Sequence, residues 1–330
     1  MDVMKSSETL RLFGKWWTTW KTLPVFSWVR AAACYRAGKF SIAERHYLAG
    51  LAKHPDHPAN LCARLDLAYC LFKQQKLEEA ERHLRHVTTR SPHSREGYLR
   101  LARLQMWTGH SLEAGWTMRR ALQRVAVDAE TAGTFLLAVL DADAPAYLIA
   151  EAVQAAQSIE LKDGVSYERL KLALARLDYQ RRDRERGREV IAEMACRERA
   201  VFDAILAFAK ILVDEGKVAH ARRQLRRAMT VASDHPRILE ILALSYLKAG
   251  PFYNAEYAVQ QATKACQSAG WKSPAAMHVL AEAFYHHGDK ISALLIASKA
   301  KQAGSRLMGS YSGVQNLDRL IESLSENTLA

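Results

Sequence analysis

The chain has 330 residues, which is long enough for two globular domains or one extended repeat array. Apolar residues make up 49% and charged residues 25%, whereas glycine (16) and proline (8) are scarce, so the composition favours helices and disfavours sheet. The net charge of +12 fits an acidic partner, nucleic acid or an anionic membrane, but the basic residues are spread along the chain and charge alone selects none of these.

The sequence contains no segment that is typical of a transmembrane helix or a cleavable signal. The most apolar stretch, Val201–Val213, is too short to span a bilayer and includes Asp203 and Lys210. The five cysteines follow no metal-binding spacing, which indicates free thiols in a reducing compartment. We therefore expect a cytoplasmic protein, including one held peripherally on the cytoplasmic face of a membrane.

The first predicted element is an amphipathic helix over residues 10–21, ended by Pro24. At about 100° per residue, one face of this helix carries an apolar set that includes four aromatic side chains, Phe13, Trp16, Trp17 and Trp20. Three interpretations stay open: a cap on the next helix pair, an interfacial membrane contact, or a docking surface for a partner subunit.

Six later segments share one spacing, in which a turn residue is followed five residues later by an alanine inside a helical pattern. Upstream of each turn lies a second helical pattern with its own small and bulky residues. Small residues allow two antiparallel helices to approach closely, and the turn residue reverses the chain between them. The segments are Gly38–Pro55, Gln75–Pro92, Gly109–Leu122, Gly216–Met229, Gly250–Thr263 and Gly288–Ala300. Their alanines are Ala43, Ala80, Ala114, Ala221, Ala255 and Ala293. In the fifth segment, Phe252 occupies the apolar position that precedes the alanine.

This pattern resembles the tetratricopeptide repeat over nearly the whole chain, at its period of roughly 34 residues. The resemblance implies an all-α, right-handed superhelical solenoid of antiparallel helix pairs, with seven or eight pairs in all. We expect an amino-terminal helix (1–22), three repeats (23–126), divergent helical hairpins (127–200), three further repeats (201–308), and a capping helix with a tail (309–330).

A catalytic function is not predicted. The sequence has no phosphate-binding loop, dinucleotide fingerprint, nucleophile elbow or HExxH motif, and its histidines lack partners at metal-ligand spacing. We expect no enzyme activity, no cofactor and no bound metal.

The resemblance implies a partner-binding groove lined by the first helix of each pair. The residues expected there form an apolar floor with a basic edge, suited to a peptide with apolar anchors and some acid. They are Leu65, Tyr69, Phe72, Lys73, Arg100, Arg103, Met106 and Trp107. The family's clamp for the terminal carboxylate of chaperones is matched at one position of five, by Arg100, whereas Trp28, Ala32, Asp66 and Glu96 occupy the others.

A second basic feature lies on the later helices. Arg222, Arg223, Arg226 and Arg227 lie one turn apart in pairs with no carboxylate among them, which is typical of an anion or nucleic-acid contact. The predicted function is a non-enzymatic scaffold, adaptor or assembly factor that binds a partner protein, a peptide or subunit, in the groove, with an anionic membrane surface as a further candidate partner. The alternative is a nucleic-acid-associated repeat protein that uses the arginine patch.

Overall fold

A computed structural model of the chain describes residues 26–162, 164–198, 200–308 and 314–326. These ranges contain 17 helices and no strand, so the all-α prediction is confirmed for the described part of the chain. The helices are α1 (Phe26–Arg36), α2 (Phe40–Lys53), α3 (Asn60–Lys73), α4 (Leu77–Arg90), α5 (Arg95–Trp107), α6 (Ser111–Leu122), α7 (Ala129–Asp141), α8 (Ala146–Gln157), α9 (Val165–Arg181), α10 (Arg184–Cys196), α11 (Phe202–Asp214), α12 (Val218–Met229), α13 (Pro236–Leu247), α14 (Ala255–Ser268), α15 (Pro274–His287), α16 (Lys290–Met308) and α17 (Val314–Glu326).

Contacts divide the chain into two compact units. The amino-terminal unit extends to Leu104 and also contains Gln123–Ala126, while the carboxy-terminal unit contains Gln105–Leu122 and the chain from Val127 onward. In the amino-terminal unit, α1 packs on α2 and α3 packs on both α2 and α4. In the carboxy-terminal unit, α7–α8, α9–α10, α11–α12, α13–α14 and α15–α16 are packed hairpins. The predicted segment boundaries stay predictions. They are set by how clearly the repeat spacing is present in the sequence, whereas the two units are set by contacts.

The hairpin turns follow the predicted spacing at five positions. Gly38, Gln75, Gly109, Gly216 and Gly288 all have positive φ, and in each case the next helix begins two residues later. The alanine five residues after each turn residue is fully buried, at Ala43, Ala80, Ala114, Ala221 and Ala293. This spacing of turn, helix start and buried alanine is the one that the resemblance to tetratricopeptide-repeat proteins implies.

The hairpin of α13 and α14 differs from this pattern. After Gly250 the chain continues through a longer turn, and α14 begins only at Ala255, whose burial is partial. The fully buried alanine is Ala258, three residues later than in the other hairpins. The prediction that Phe252 and Ala255 occupy the repeat positions is therefore wrong, because three additional turn residues shift the helix register.

The divergent centre is built on close helix packing. Helix α7 is buried along almost its whole length and packs on α8 and α9. A Cβ atom on Gly133 would lie 2.6 Å from the backbone nitrogen of Leu170, so only glycine permits this approach of α7 to α9. Asp128 caps α7 by accepting from the backbone N–H groups of Glu130 and Thr131.

The carboxy-terminal helix α17 packs on α16. Leu317 is fully buried, and the Lys301 Nζ atom lies 2.5 Å from Asp318 Oδ1. The structure thus places a helix within residues 309–330, the segment in which a capping helix is predicted.

Candidate functional site

Three of the residues predicted to line the groove lie together in the amino-terminal unit. Tyr69 is buried, Phe72 and Lys73 are half-buried, and the Lys73 ammonium lies 5.4 Å from the centre of the Tyr69 ring. Tyr35 and Phe40 of the first hairpin meet Tyr69 edge to face, with ring centroids 5.2 and 5.9 Å away. The cluster therefore serves mainly to join the first two hairpins.

The prediction that Leu65 and Arg100 face a partner is wrong, because both are buried. Arg100 has no exposed surface: its Nε lies 2.5 Å from Glu96 Oε1, and its Nη1 donates to the carbonyl of Leu65 at 2.9 Å. The same Nη1 lies 3.8 Å from Asp66 Oδ1. A buried guanidinium requires such partners, so Arg100 is a structural ion rather than a ligand for a peptide carboxylate.

The carboxylate of Asp66 is held in an unusual environment. Burial raises its pKa to about 6, although the Arg100 charge and a hydrogen bond from the Tyr47 hydroxyl, at 3.2 Å, act in the opposite direction. Burial and the nearby Asp66 charge also raise the pKa of the Tyr47 phenol. Trp28, assigned by sequence to the groove, is likewise buried and donates from Nε1 to the carbonyl of Tyr47 at 3.3 Å.

The remaining groove residues are also withdrawn from solvent. Arg103 in the amino-terminal unit and Met106 in the carboxy-terminal unit are buried, and Trp107 is half-buried. Trp107 packs against Phe202 and His235 of its own unit, with ring centroids 5.1 and 4.6 Å away. Burial, together with a nearby arginine, lowers the pKa of His235 to about 3, so this imidazole is neutral near pH 7.

The aromatic set predicted for amino-terminal docking lies outside the described residues. It comprises Phe13, Trp16, Trp17 and Trp20.

The predicted arginine patch on α12 divides into two pairs. Arg223 and Arg226 are exposed. Arg227 donates from Nη1 to the carbonyl of Ala195 at 3.0 Å, which ties α12 to the end of α10. Arg222 is half-buried and packs toward α13 rather than toward solvent. Only the first pair is therefore available as a free cationic surface.

A surface that sequence reasoning did not identify lies in the carboxy-terminal unit. Four of the seven exposed Phe, Tyr or Trp side chains in the described residues gather around the α13–α14 turn and the end of α15. We call this set the aromatic ledge: Phe252, Tyr253, Tyr257 and Tyr285, each between 38% and 46% exposed. The run of aromatic residues in the long turn was the available signal, but the repeat spacing had assigned Phe252 to a helix.

The ledge is held in place by an arginine and a second layer of rings. The Arg222 guanidinium carbon lies 3.8 Å from the Tyr246 ring centre and 4.6 Å from that of Phe252. Tyr246 also meets Tyr257 edge to face at 4.6 Å. The Tyr253 hydroxyl donates to the carbonyl of His286 at 3.3 Å, which links the α13–α14 turn to the end of α15.

The backbone of the long turn is also fixed. The N–H of Asn254 donates to the carbonyl of Tyr246 at 2.9 Å, and the N–H of Tyr253 donates to that of Gly250 at 3.1 Å. The Asn254 side chain then caps α14 by accepting from the Tyr257 N–H at 2.8 Å. The ledge is therefore an ordered, exposed aromatic surface rather than a loose loop.

A cleft of about 480 Å³, its open mouth included, lies elsewhere in the same unit. It is lined by the first residues of α6, α13 and α15, and by Asp141 at the end of α7. Arg176 and Arg237 each ion-pair with one oxygen of Asp141. Burial acts to raise the pKa of Asp141, but the two guanidiniums outweigh it and hold that pKa below its ordinary value.

The remaining charges of this cleft oppose one another. Besides the paired Asp141 and Arg237, Glu113, Glu240 and Lys272 line the cleft, so its wall carries charges of both signs. In residues 26–162, 164–198, 200–308 and 314–326, no group of three or more His, Cys, Asp or Glu side chains could hold a metal ion. Among the described helices, none has both the length and the apolarity to cross a membrane.

No protein-family model and no curated protein matches the chain. Among solved structures, it is similar to a tetratricopeptide repeat protein from Parabacteroides merdae, with 16% identity, a TM-score of 0.47, and 91% of this chain and 97% of that chain covered. It is also similar to a human IFIT1 dimer with PPP-AAAA, with 14% identity, a TM-score of 0.48, and coverage of 90% and 72%. For yeast Tom70 the identity is 11%, the TM-score 0.38 and the coverage 92% and 95%. At these values the ligands of the neighbours do not carry over to this chain.

Proposed function

We propose that the chain is a non-enzymatic adaptor that binds a segment of a partner protein on the aromatic ledge. One observation carries this proposal: four aromatic side chains stay exposed around the α13–α14 turn and the end of α15, and hydrogen bonds and ring contacts fix the backbone of that turn and the second layer of rings. Rigid tyrosine and phenylalanine side chains contribute large contact areas at little cost in conformational entropy, and such residues dominate binding energies at protein interfaces.

The arginines of α12 are our reason for proposing an acidic partner segment. Arg222 lies beneath Phe252, and the exposed Arg223 and Arg226 follow it on α12. A peptide with apolar anchors for the rings and carboxylates for these arginines fits this surface. This is the partner chemistry expected from the sequence, at a different location from the predicted groove.

The proposal also places the protein in a reducing compartment such as the cytoplasm. Its five cysteines lie in the described residues and all are free thiols. Burial raises the pKa of both Cys70 and Cys266 to about 12, which favours unreactive thiols.

A peptide display experiment tests the adaptor proposal. Random peptides are selected on the immobilised chain, and the affinity of an enriched peptide is measured for the native protein, Tyr253→Ala and Tyr147→Ala. Tyr147 is a matched control, since it is an exposed tyrosine of the same unit outside the ledge. We expect Tyr253→Ala to weaken binding at least about tenfold and Tyr147→Ala to leave it within about twofold. Equal binding to all three proteins, with unchanged circular dichroism, would refute the ledge as the binding surface.

Single-stranded nucleic acid is the second candidate ligand, because exposed aromatic rings beside arginines can stack bases and contact phosphates. A labelled 20-nucleotide uridine strand tests it. Binding that weakens steeply with salt, and weakens further when Arg223 and Arg226 are replaced by alanine, would support nucleic acid over a peptide. Absence of binding at low salt would remove this candidate.

A further inference from the structure

Four basic side chains of α3 and α4 gather in the amino-terminal unit. Arg64 of α3 places its Nη1 atom 3.0 Å from Nδ1 of His83 on α4. His86 and Arg90 follow His83 three and seven residues later, so these three residues share one face of α4. Arg64, His83 and His86 are half-buried, and Arg90 is exposed. We call Arg64, His83, His86 and Arg90 the basic cluster, and it extends from the partly buried Arg64 to the surface.

Neutral groups hold the Arg64 guanidinium in place. Its Nε donates to Oδ1 of the buried Asn60 at 2.7 Å, and the Asn60 amide donates to the carbonyl of Pro55 at 2.9 Å. A guanidinium can only donate, so His83 accepts at Nδ1 and, as a neutral imidazole, carries its proton on Nε2. The cluster therefore presents positioned N–H donors to any group that approaches it.

The charges that act within the basic cluster are all positive. Burial lowers the pKa of His83 to about 4, and the charges of Arg64, Arg82 and His86 act in the same direction. Burial, with the charges of Arg64 and Arg90, also lowers the pKa of His86. Both imidazoles are therefore kept neutral near pH 7 by an environment that a bound anion would reverse.

Arginines that are buried elsewhere in the chain are matched by carboxylates. Arg100 lies 2.5 Å from a carboxylate oxygen of Glu96. Arg176 pairs with Asp141. Arg64, by contrast, forms no ion pair with any residue that the structure describes. Partly buried guanidiniums without a carboxylate are typical of sites that receive their negative charge from a ligand.

We propose that Arg64, His83, His86 and Arg90 bind a phosphate group that carries two or more negative charges. The phosphate oxygens accept from both guanidiniums and from the imidazole N–H groups, and arginine is well suited to such oxygens because its planar fork can donate two parallel hydrogen bonds. The site lies in the amino-terminal unit, whereas the aromatic ledge lies in the carboxy-terminal unit. It therefore goes beyond the proposed adaptor function and does not depend on it.

Calorimetric titration of the full chain with inorganic pyrophosphate at low salt tests the site. We expect saturable binding that is at least about tenfold weaker in Arg64→Gln and in Arg90→Gln, since each variant loses charge-assisted hydrogen bonds to the ligand. Arg45→Gln is the matched control, because Arg45 is an exposed arginine on α2 of the same unit, and it should keep the affinity within about twofold.

Two results of this titration would overturn the proposal. One is the absence of binding at about 10 mM pyrophosphate. The other is an equal loss of affinity in Arg90→Gln and Arg45→Gln, which would show that the anion responds only to the net charge of the protein. Arg90 is exposed, so Arg90→Gln keeps the test decisive even if circular dichroism shows that Arg64→Gln is unfolded.

Histidine nuclear magnetic resonance gives a readout that a purely structural role of the cluster would not move. A bound anion favours the charged imidazole, so saturating pyrophosphate should raise the pKa of His83 from about 4 by at least about one pH unit. An unchanged titration of His83 with bound pyrophosphate would place the anion elsewhere and overturn the proposal.

A vesicle assay distinguishes a soluble phosphate from a lipid headgroup. Phosphatidylcholine vesicles that contain phosphatidylinositol 4-phosphate are sedimented with the native protein and with Arg64→Gln. Vesicle binding that is lost in Arg64→Gln assigns the phosphate to a headgroup, and pyrophosphate binding without vesicle binding assigns it to a soluble molecule. Either result supports a phosphate site, and the absence of both kinds of binding overturns it.

Discussion

The carboxylate of Asp141 lies between two arginines, and replacement of Asp141 by asparagine removes the negative charge that both arginines contact. The Asp141 side chain is 3% exposed, and its two oxygens face Arg176 of α9 and Arg237 of α13. The change preserves the shape of the side chain but places an amide NH₂ group against a guanidinium. Two largely buried positive charges then lose their shared counter-ion.

The expected cost is large because of this burial. Loss of one partner of a buried ion pair costs about 3–5 kcal/mol of the free energy of unfolding, most of it from the unpaired charge that remains. The matched control is Glu151→Gln. Glu151 contacts Arg119 at 2.7 and 2.8 Å through both oxygens, but the two side chains are 41% and 32% exposed. Its loss should cost only about 0–1 kcal/mol.

Urea unfolding monitored by circular dichroism measures both variants at pH 7. The pH dependence gives an independent check, since the folded-state pKa of Asp141 lies below its ordinary value of 3.8. Its stabilisation is present above pH 3.8 and is lost as the pH falls through the lower folded-state pKa. The difference between native and Asp141→Asn proteins should therefore be constant from about pH 5 to 8 and narrow only in stronger acid. A cost at pH 7 similar to that of Glu151→Gln would refute the assignment of Asp141 as a structural ion centre.

Two further predictions concern packing and titration. Gly133→Ala should cost about 1–3 kcal/mol in urea unfolding, because the new Cβ would lie 2.6 Å from the Leu170 nitrogen; an unchanged midpoint would contradict the close approach of α7 to α9. The folded-state pKa of His235 is about 3, below its ordinary value of 6.5. Because the unfolded chain therefore binds a proton at this imidazole more readily than the folded chain does, His235 lowers the free energy of unfolding as the pH falls from about 6.5 toward 3. His235→Phe should reduce the pH slope of the unfolding free energy by up to about 1.4 kcal/mol per pH unit between pH 4 and 6, and an unchanged slope would contradict the buried neutral imidazole.

The hairpins follow from short-range features of the sequence. A turn residue at Gly38 or Gly216 and an alanine five residues later define where the chain reverses and where two helices approach. These features lie within one repeat, so the helix pairs and the position of the last helix can be predicted without knowledge of distant contacts.

The accessibility of particular side chains could not be predicted in this way. Arg100 has the spacing of a groove residue, yet Glu96 and Asp66 hold it in the interior. Trp107 likewise packs against His235, more than a hundred residues away in the chain. The Asp141 centre joins three helices whose sequences show no shared motif.

The aromatic ledge shows the division between sequence and tertiary structure most directly. The sequence by itself determined that the chain turns at Gly250 and that a helix follows, but its repeat spacing assigned Phe252 to that helix. Only the tertiary structure decided that the turn is three residues longer and that Ala258, rather than Ala255, enters the core. The physical reason is that burial selects the helix register that packs best against neighbouring helices, and the residues excluded by that register are left at the surface.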